Sequence, residues 1–387
     1  MTLGLLLAIG AAIPFVATFT LIWIRGSNPN AKYVSLGATA CTLLLLIVVA
    51  KLAWNRPVER PLYWQTNIPG WRISEKKPPP SLRLSLDSQW ALAPALAAGV
   101  VFALSLAVPA SQHKFLQLEH GAIQAAITVA SHEASLAAVS ISTLAIVLST
   151  GRSSLGLGFR WCIADAVLWI WIAGLLAEAP PFVPLLAIAL RVGIFPFHTG
   201  LTTSLRSSPN LAFLLAVLPP AVWAYRLVDI PPIYNSDWWS LVLAVAALAP
   251  AMLAAIERSA AAAAAYRLLS VLVWPILLPM PPQASIALCA LGVIACMGEA
   301  SSVWRQTASA SAALLPTLHL VLTRGTHSFE EFLGWGVVTV SAALTHLARP
   351  STLFSCNESH GLKEATVAIP TVLAWLALVL ACLESAK

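Results

Sequence analysis

Charge is what this sequence has least of. Asp, Glu, Lys and Arg together make up 10% of its 387 residues, against about 25% in soluble domains of ordinary composition. A chain this poor in charge cannot clothe a water-facing surface on all sides, which excludes the two or three soluble domains its length would otherwise suggest. Residues for soluble-type enzymology are also missing. There is no Walker loop, GxGxxG, HExxH, nucleophile elbow or CxxC. Cysteine is present but follows no pairing pattern: Cys41, Cys162, Cys289, Cys296 and Cys382 fall in apolar segments, and Cys356 lies in a polar loop. Without metal-type spacing they read as small apolar packing residues. No metal site and no cofactor is expected. The net charge of +6 calls for no nucleic-acid partner, because Lys and Arg accumulate in the cytoplasmic loops of membrane proteins.

What fills the chain instead is apolar. Hydrophobic residues make up 59% of it, gathered into segments long enough to cross a bilayer core, which takes roughly 20 residues of helix. Such spans fall near 3–24, 34–53, 89–109, 122–149, 161–178, 181–198, 211–228, 239–256, 264–280, 284–302, 308–323, 331–347 and 366–384. The expected fold class is therefore all-α and polytopic: one transmembrane domain over 1–387, a bundle of about 12–14 helices. Two segments read as polar loops. Residues 54–88 carry Lys76 and Lys77 beside Pro78, Pro79 and Pro80, and residues 348–364 hold Arg349, Pro350, Asn357 and Lys363. The first span lacks a basic n-region and an A-x-A cleavage site, so it reads as a retained helix. Tryptophans such as Trp54, Trp64, Trp71, Trp238, Trp239 and Trp304 mostly flank spans, as interface anchors do.

With thirteen spans, Lys51, Arg56, Arg60, Arg72, Lys76, Lys77, Arg83, Arg152, Arg160 and further basic residues share one side. That bias places the N-terminus in the cytoplasm. The arrangement hinges on 110–150 being one helix; two helices there reverse the N-terminal part.

Ionisable residues inside a bilayer are costly, and each is a functional candidate by default. Here they are Glu133, Asp165, Arg191, His198, Glu299, Arg305, His319 and His346. Arg191 is the sharpest, set between Ala187–Leu190 and Val192–Phe197. It needs a carboxylate, a carbonyl or a hydrated cavity, and Asp165 and Glu133 are the acidic candidates nearest in sequence. Such a pair either fixes helix register or lies in an ion or proton path; the sequence leaves both open. His319 and His346 read as packing or cavity-lining residues, and Glu299 with Arg305 as an interfacial pair.

The stretch from Arg191 to Arg226 carries a motif. Phe195-Pro196-Phe197-His198, followed by Ser208-Pro209 and another apolar segment, resembles the FPFHxWLPxA…TPVSALIHA signature. That signature belongs to the antiporter-like membrane subunits of respiratory complex I, Mrp-type cation/proton antiporters and Dab-type inorganic-carbon uptake complexes. Leu86-Asp87-Ser88, Ile163-Ala164-Asp165 and Ala265 to Ser270 resemble further segments of the same template. A proline in a membrane helix frees a carbonyl that a nearby His or water can satisfy, so the helix is expected to break near Pro196. In the family, a lysine five residues before the motif proline is a central proton-path residue. Here that position is Arg191, which keeps the charge but does not readily release a proton. The family's His in the next helix corresponds to Leu215, its Lys-Arg pair before the AYSTIS-like segment to Ala261 and Ala262, and Glu133 is the candidate for its acidic residue before Asp165.

The resemblance implies a multi-pass subunit, of the bacterial inner membrane, that couples proton or cation movement to a partner. That partner is a Dab-type carbonic-anhydrase-like subunit serving inorganic carbon (bicarbonate/CO2) uptake, or a set of complex I-like subunits. The altered proton-path positions favour an alternative, a degenerate non-conducting paralogue acting as membrane anchor or scaffold in a complex I-like assembly. A free-standing carrier would need a self-contained substrate site that the sequence does not display.

Overall fold

The computed structural model describes residues 2–24, 30–67, 81–105, 108–150, 155–172 and 182–192, with scattered helical positions between 246 and 292 and between 369 and 376. The first two helices are long and almost uniformly apolar: α1 spans Thr2–Trp23 and α2 spans Asn30–Trp54. Both are long and apolar enough to cross a membrane, at roughly 33 and 37 Å for 1.5 Å per residue. The helices α3 (Ala93–Ser105), α4 (His113–Thr128), α5 (His132–Thr150), α6 (Leu155–Ile172) and α7 (Phe182–Val192) follow. The all-helical polytopic bundle expected from the spans is the fold observed. Pro196, the expected helix break, lies outside the described residues, as do His198, Glu299, Arg305, His319, His346 and the polar segment 348–364.

Side chains are sorted as a bilayer requires and water does not. Val16, Phe19, Ile22 and Leu44 lie exposed along α1 and α2, and Trp23, 88% exposed, ends α1. Ser35, Thr39, Gln117, Glu119, His120 and Gln124 are wholly buried. Large apolar side chains outward and polar ones inward suit a lipid solvent, where exposed hydrocarbon costs nothing and polar groups seek each other.

Segment 54–88, expected as a polar loop, contains two strands, β1 (Leu62–Asn67) and β2 (Ser81–Leu86), paired antiparallel with Leu62 opposite Leu86 and Trp64 opposite Leu84. The cause is a period-2 pattern: Leu82, Leu84 and Leu86 alternate with Ser81, Arg83 and Ser85. Leu62, Leu84 and Leu86 pack into a cluster with Leu7, Ala11, Val49, Ala53, Ala91 and Val129. The hairpin thus caps one end of the bundle. Asp87 closes the turn into α3, its carboxylate accepting from the backbone N–H groups of Gln89 at 2.9 Å and Trp90 at 3.2 Å.

A second departure concerns 110–150. The sequence expectation of one span over 122–149 is incorrect; α4 and α5 are separate helices. Val129 is extended, with φ −69° and ψ 134°, and forms a bridge to Leu84, while the Ala130 N–H donates to the Arg83 carbonyl at 3.0 Å. Ser131 then starts the next helix, its hydroxyl accepting from the Ala134 N–H, the usual work of an N-terminal cap. The α4–α5 corner therefore sits on the hairpin face, and α5 carries the chain roughly 28 Å away from it. This overturns the grouping of Lys51–Arg83 with the basic residues that follow α5. The charge alternation that placed the N-terminus in the cytoplasm goes with it.

Helices α1 and α4 approach closely at Gly121. A Cβ there would sit 2.9 Å from three carbons of the Phe15 ring, so small size is the requirement. Gly121→Val is expected to lower stability by about 1–3 kcal/mol through overpacking, read as a lower unfolding temperature in detergent.

Candidate functional site

Three consecutive helices bring a charged cluster into the bundle interior. Arg191 lies in the last turn of α7, Asp165 lies within α6, and Thr143 lies within α5. All are buried, Arg191 to 1% exposure and Asp165 to 6%. The guanidinium Nη2 donates to Thr143 Oγ1 at 2.7 Å, and Thr143 Oγ1 lies 2.7 Å from Asp165 Oδ2. Arg191 Nε stands 3.4 Å from Asp165 Oδ1, an ion-pair contact rather than a hydrogen bond. Thr143 has a single hydroxyl proton. The charged carboxylate at 2.7 Å takes it in preference to the Val139 carbonyl at 3.3 Å, since charge-assisted bonds are about twice as strong. The threonine is thus a relay, accepting from the cation and donating to the anion.

Two further groups complete the surroundings. The Trp161 ring lies under the guanidinium, its centroid 4.4 Å from Arg191 Cζ, and is itself 2% exposed. A desolvated cation–π contact of this kind is worth about 2 kcal/mol. Glu119, wholly buried on α4, lies within electrostatic range of Arg191. Neither of its carboxylate oxygens has a hydrogen-bond partner among the described residues.

The sequence candidates therefore separate. Arg191 and Asp165 are brought together. Glu133 is exposed in the first turn of α5, where a helix N-terminus favours an acid, and it takes no part in the cluster. The buried acid is Glu119, which escapes sequence reading because the span there is started at residue 122. A signal exists in the polar residues of α4, His113, Gln117, His120, Gln124 and Thr128, which recur every three or four positions and so share one face. Thr143 and Trp161 carry no charge and give no sequence signal. Arg267, inside the expected span 264–280, is buried at a helical position.

That polar face of α4 is held by its neighbours. Gln117 Nε2 donates toward the Ser35 carbonyl at 3.2 Å, Ser35 Oγ at 2.7 Å and Thr39 Oγ1 at 2.8 Å. Gln124 Nε2 reaches the Pro94 carbonyl at 2.9 Å and His120 Nε2 at 3.2 Å. With the Gln124 amide as donor, His120 accepts at Nε2 and keeps its proton on Nδ1. Gln117 Oε1, Gln124 Oε1 and His120 Nδ1 find no partner among the described residues. Such a row of buried polar atoms suits ordered water. Among the described residues, no group of three His, Cys, Asp or Glu is arranged to hold a metal.

No known family pattern matches the sequence, and no curated protein matches it. Solved structures do. The chain matches a chain of the Mrp complex from Dietzia sp. DQ12-45-1b at 13% identity and TM-score 0.73, over 100% of this chain and 97% of that one. It also matches a chain of the membrane-bound sulfane sulfur reductase, an archaeal respiratory membrane complex, at 13% identity and TM-score 0.70, over 96% of this chain and 75% of that one. The chain has the fold of the antiporter-like membrane subunits that its central motif resembles.

Proposed function

We propose that this chain is an antiporter-like subunit of a multi-subunit complex, spanning the bacterial inner membrane many times as one domain and coupling proton or cation movement to a partner subunit. The observation that carries the reading is the buried Arg191–Thr143–Asp165 cluster, with a second wholly buried acid, Glu119, on α4. A structural pair alone needs one carboxylate. A second buried acid, with no hydrogen-bond partner among the described residues, adds a desolvation cost that a group able to exchange a proton explains. Asp165 and Arg191 form the fixed part of the path, and His198 is the candidate for its continuation. Energy-coupled uptake of inorganic carbon is the partner function we favour. The absence of a lysine at 191 leaves a specific ground for the second reading, a scaffold that no longer conducts.

The test is purification under mild detergent with mass spectrometry of stoichiometric partners. A membrane-complex partner is expected, with a carbonic-anhydrase-like protein marking the carbon-uptake case. A stable monomer that moves ions unaided would overturn the proposal.

A further inference from the structure

Arg191 holds its proton permanently and is gripped on three sides, by Thr143, Asp165 and the Trp161 ring. It is a fixed charge. The described interior then holds two buried carboxyl groups, Asp165 and Glu119, and Arg191 is the cation within electrostatic range of both. With both ionised the site carries a net negative charge away from water, whereas one bound proton makes it neutral. Asp165 receives the Thr143 hydroxyl and lies against the guanidinium. Glu119 is wholly buried and receives no hydrogen bond among the described residues, so a charge on it lacks the hydrogen bonds that offset burial.

From this burial and the missing hydrogen bonds we infer that Glu119 is the proton-binding group of this subunit, alternating between acid and carboxylate while Arg191 keeps its charge. The inference deepens the proposed function and rests on it for the word transport, though not for where the proton sits. The step is a simple protonation: the carboxylate takes a proton from a hydronium ion, whose O–H bond breaks to leave water, and the net negative charge of the two carboxylates and one cation becomes zero.

Few other groups compete. Helices α1 and α3 bring no titratable side chain to α4. Those of α2 are Lys32, Tyr33, Cys41 and Lys51, none of them buried, and those of α5 are His132 and Glu133 in its first turn. On α6 and α7 the buried ones are Asp165 and Arg191, and on α4 itself they are His113 and His120.

The test uses the full-length protein in lipid nanodiscs and infrared difference spectroscopy of the carboxylic-acid carbonyl band at neutral pH. A band from a protonated buried carboxyl is expected in the wild type, lost in Glu119→Gln and shifted in frequency in Glu119→Asp. The histidines do not contribute to that band. Unfolding temperature gives an independent reading: Glu119→Gln mimics the neutral acid and should unfold with the wild type. No protonated band in the wild type, or an unchanged band in Glu119→Gln, overturns the inference. So does a Glu119→Gln protein that unfolds early while Glu119→Asp does not, since Glu119 would then be an ionised partner of Arg191. A protein that shows the band but conducts nothing sinks the transport reading and leaves the proton on Glu119.

Discussion

Arg191→Ala is expected to destabilise the protein by about 3–5 kcal/mol, the cost of leaving a buried charge without its partner. The substitution removes the donor to Thr143, the ion-pair partner of Asp165 and the cation over Trp161 together. It leaves Asp165 with the Thr143 hydroxyl and without its ion-pair partner, in an interior that also holds Glu119, whose carboxylate has no hydrogen-bond partner among the described residues. Chemical unfolding in detergent, or the yield of folded protein after extraction, reads the effect. Wild-type stability in Arg191→Ala would mean that the cluster does not hold in the membrane.

The second large effect comes from the other partner. Asp165→Leu leaves a guanidinium in the interior and is expected to cost about as much, again 3–5 kcal/mol. The double variant is the informative one. Arg191→Leu with Asp165→Leu removes both charges and fills the space with hydrocarbon, so it should unfold later than either single variant, as replacement of a buried ion pair by apolar residues often does. The difference between the double change and the sum of the singles measures the coupling. Additive losses would show that Arg191 and Asp165 do not depend on each other, against the 3.4 Å contact and the shared Thr143.

Much of the described part of the bundle, up to Val192, is legible in the sequence because a bilayer imposes a length and a polarity on every span. The spans near 3–24 and 34–53 differ from α1 and α2 by only a few residues. Where the sequence misleads, a polar residue lies inside the bundle. Helix α4 divides between a loop and a span on hydropathy because His113, Gln117, Glu119 and His120 lower it, although all four are buried. The amide nitrogens of its Gln117 and Gln124 are met by α2 and α3, through Ser35, Thr39 and Pro94, and such a partnership between distant residues has no local signature. The hairpin is hidden for the opposite reason, since its leucines alternate too briefly to stand out beside Pro78–Pro80. Arg191 is visible because a lone charge in an apolar run needs an explanation. Choosing Asp165 over Glu133 requires knowing that the chain breaks at Val129, which puts Glu133 at a helix start on the hairpin face.

The central claim is that the Arg191 cluster lies in an ion path and does more than pin helices together. Lysine at 191 keeps the charge but presents one ammonium in place of a planar fork, so it cannot reproduce the paired contacts to Thr143 and Asp165. The most direct measurement compares proton flux in proteoliposomes that hold the wild type or Arg191→Lys, each with its native partners, beside the yield of assembled complex. The account predicts normal assembly with altered flux, as leak or as lost coupling, because a group able to release its proton replaces a fixed charge. Normal assembly with unaltered, coupled flux would contradict it.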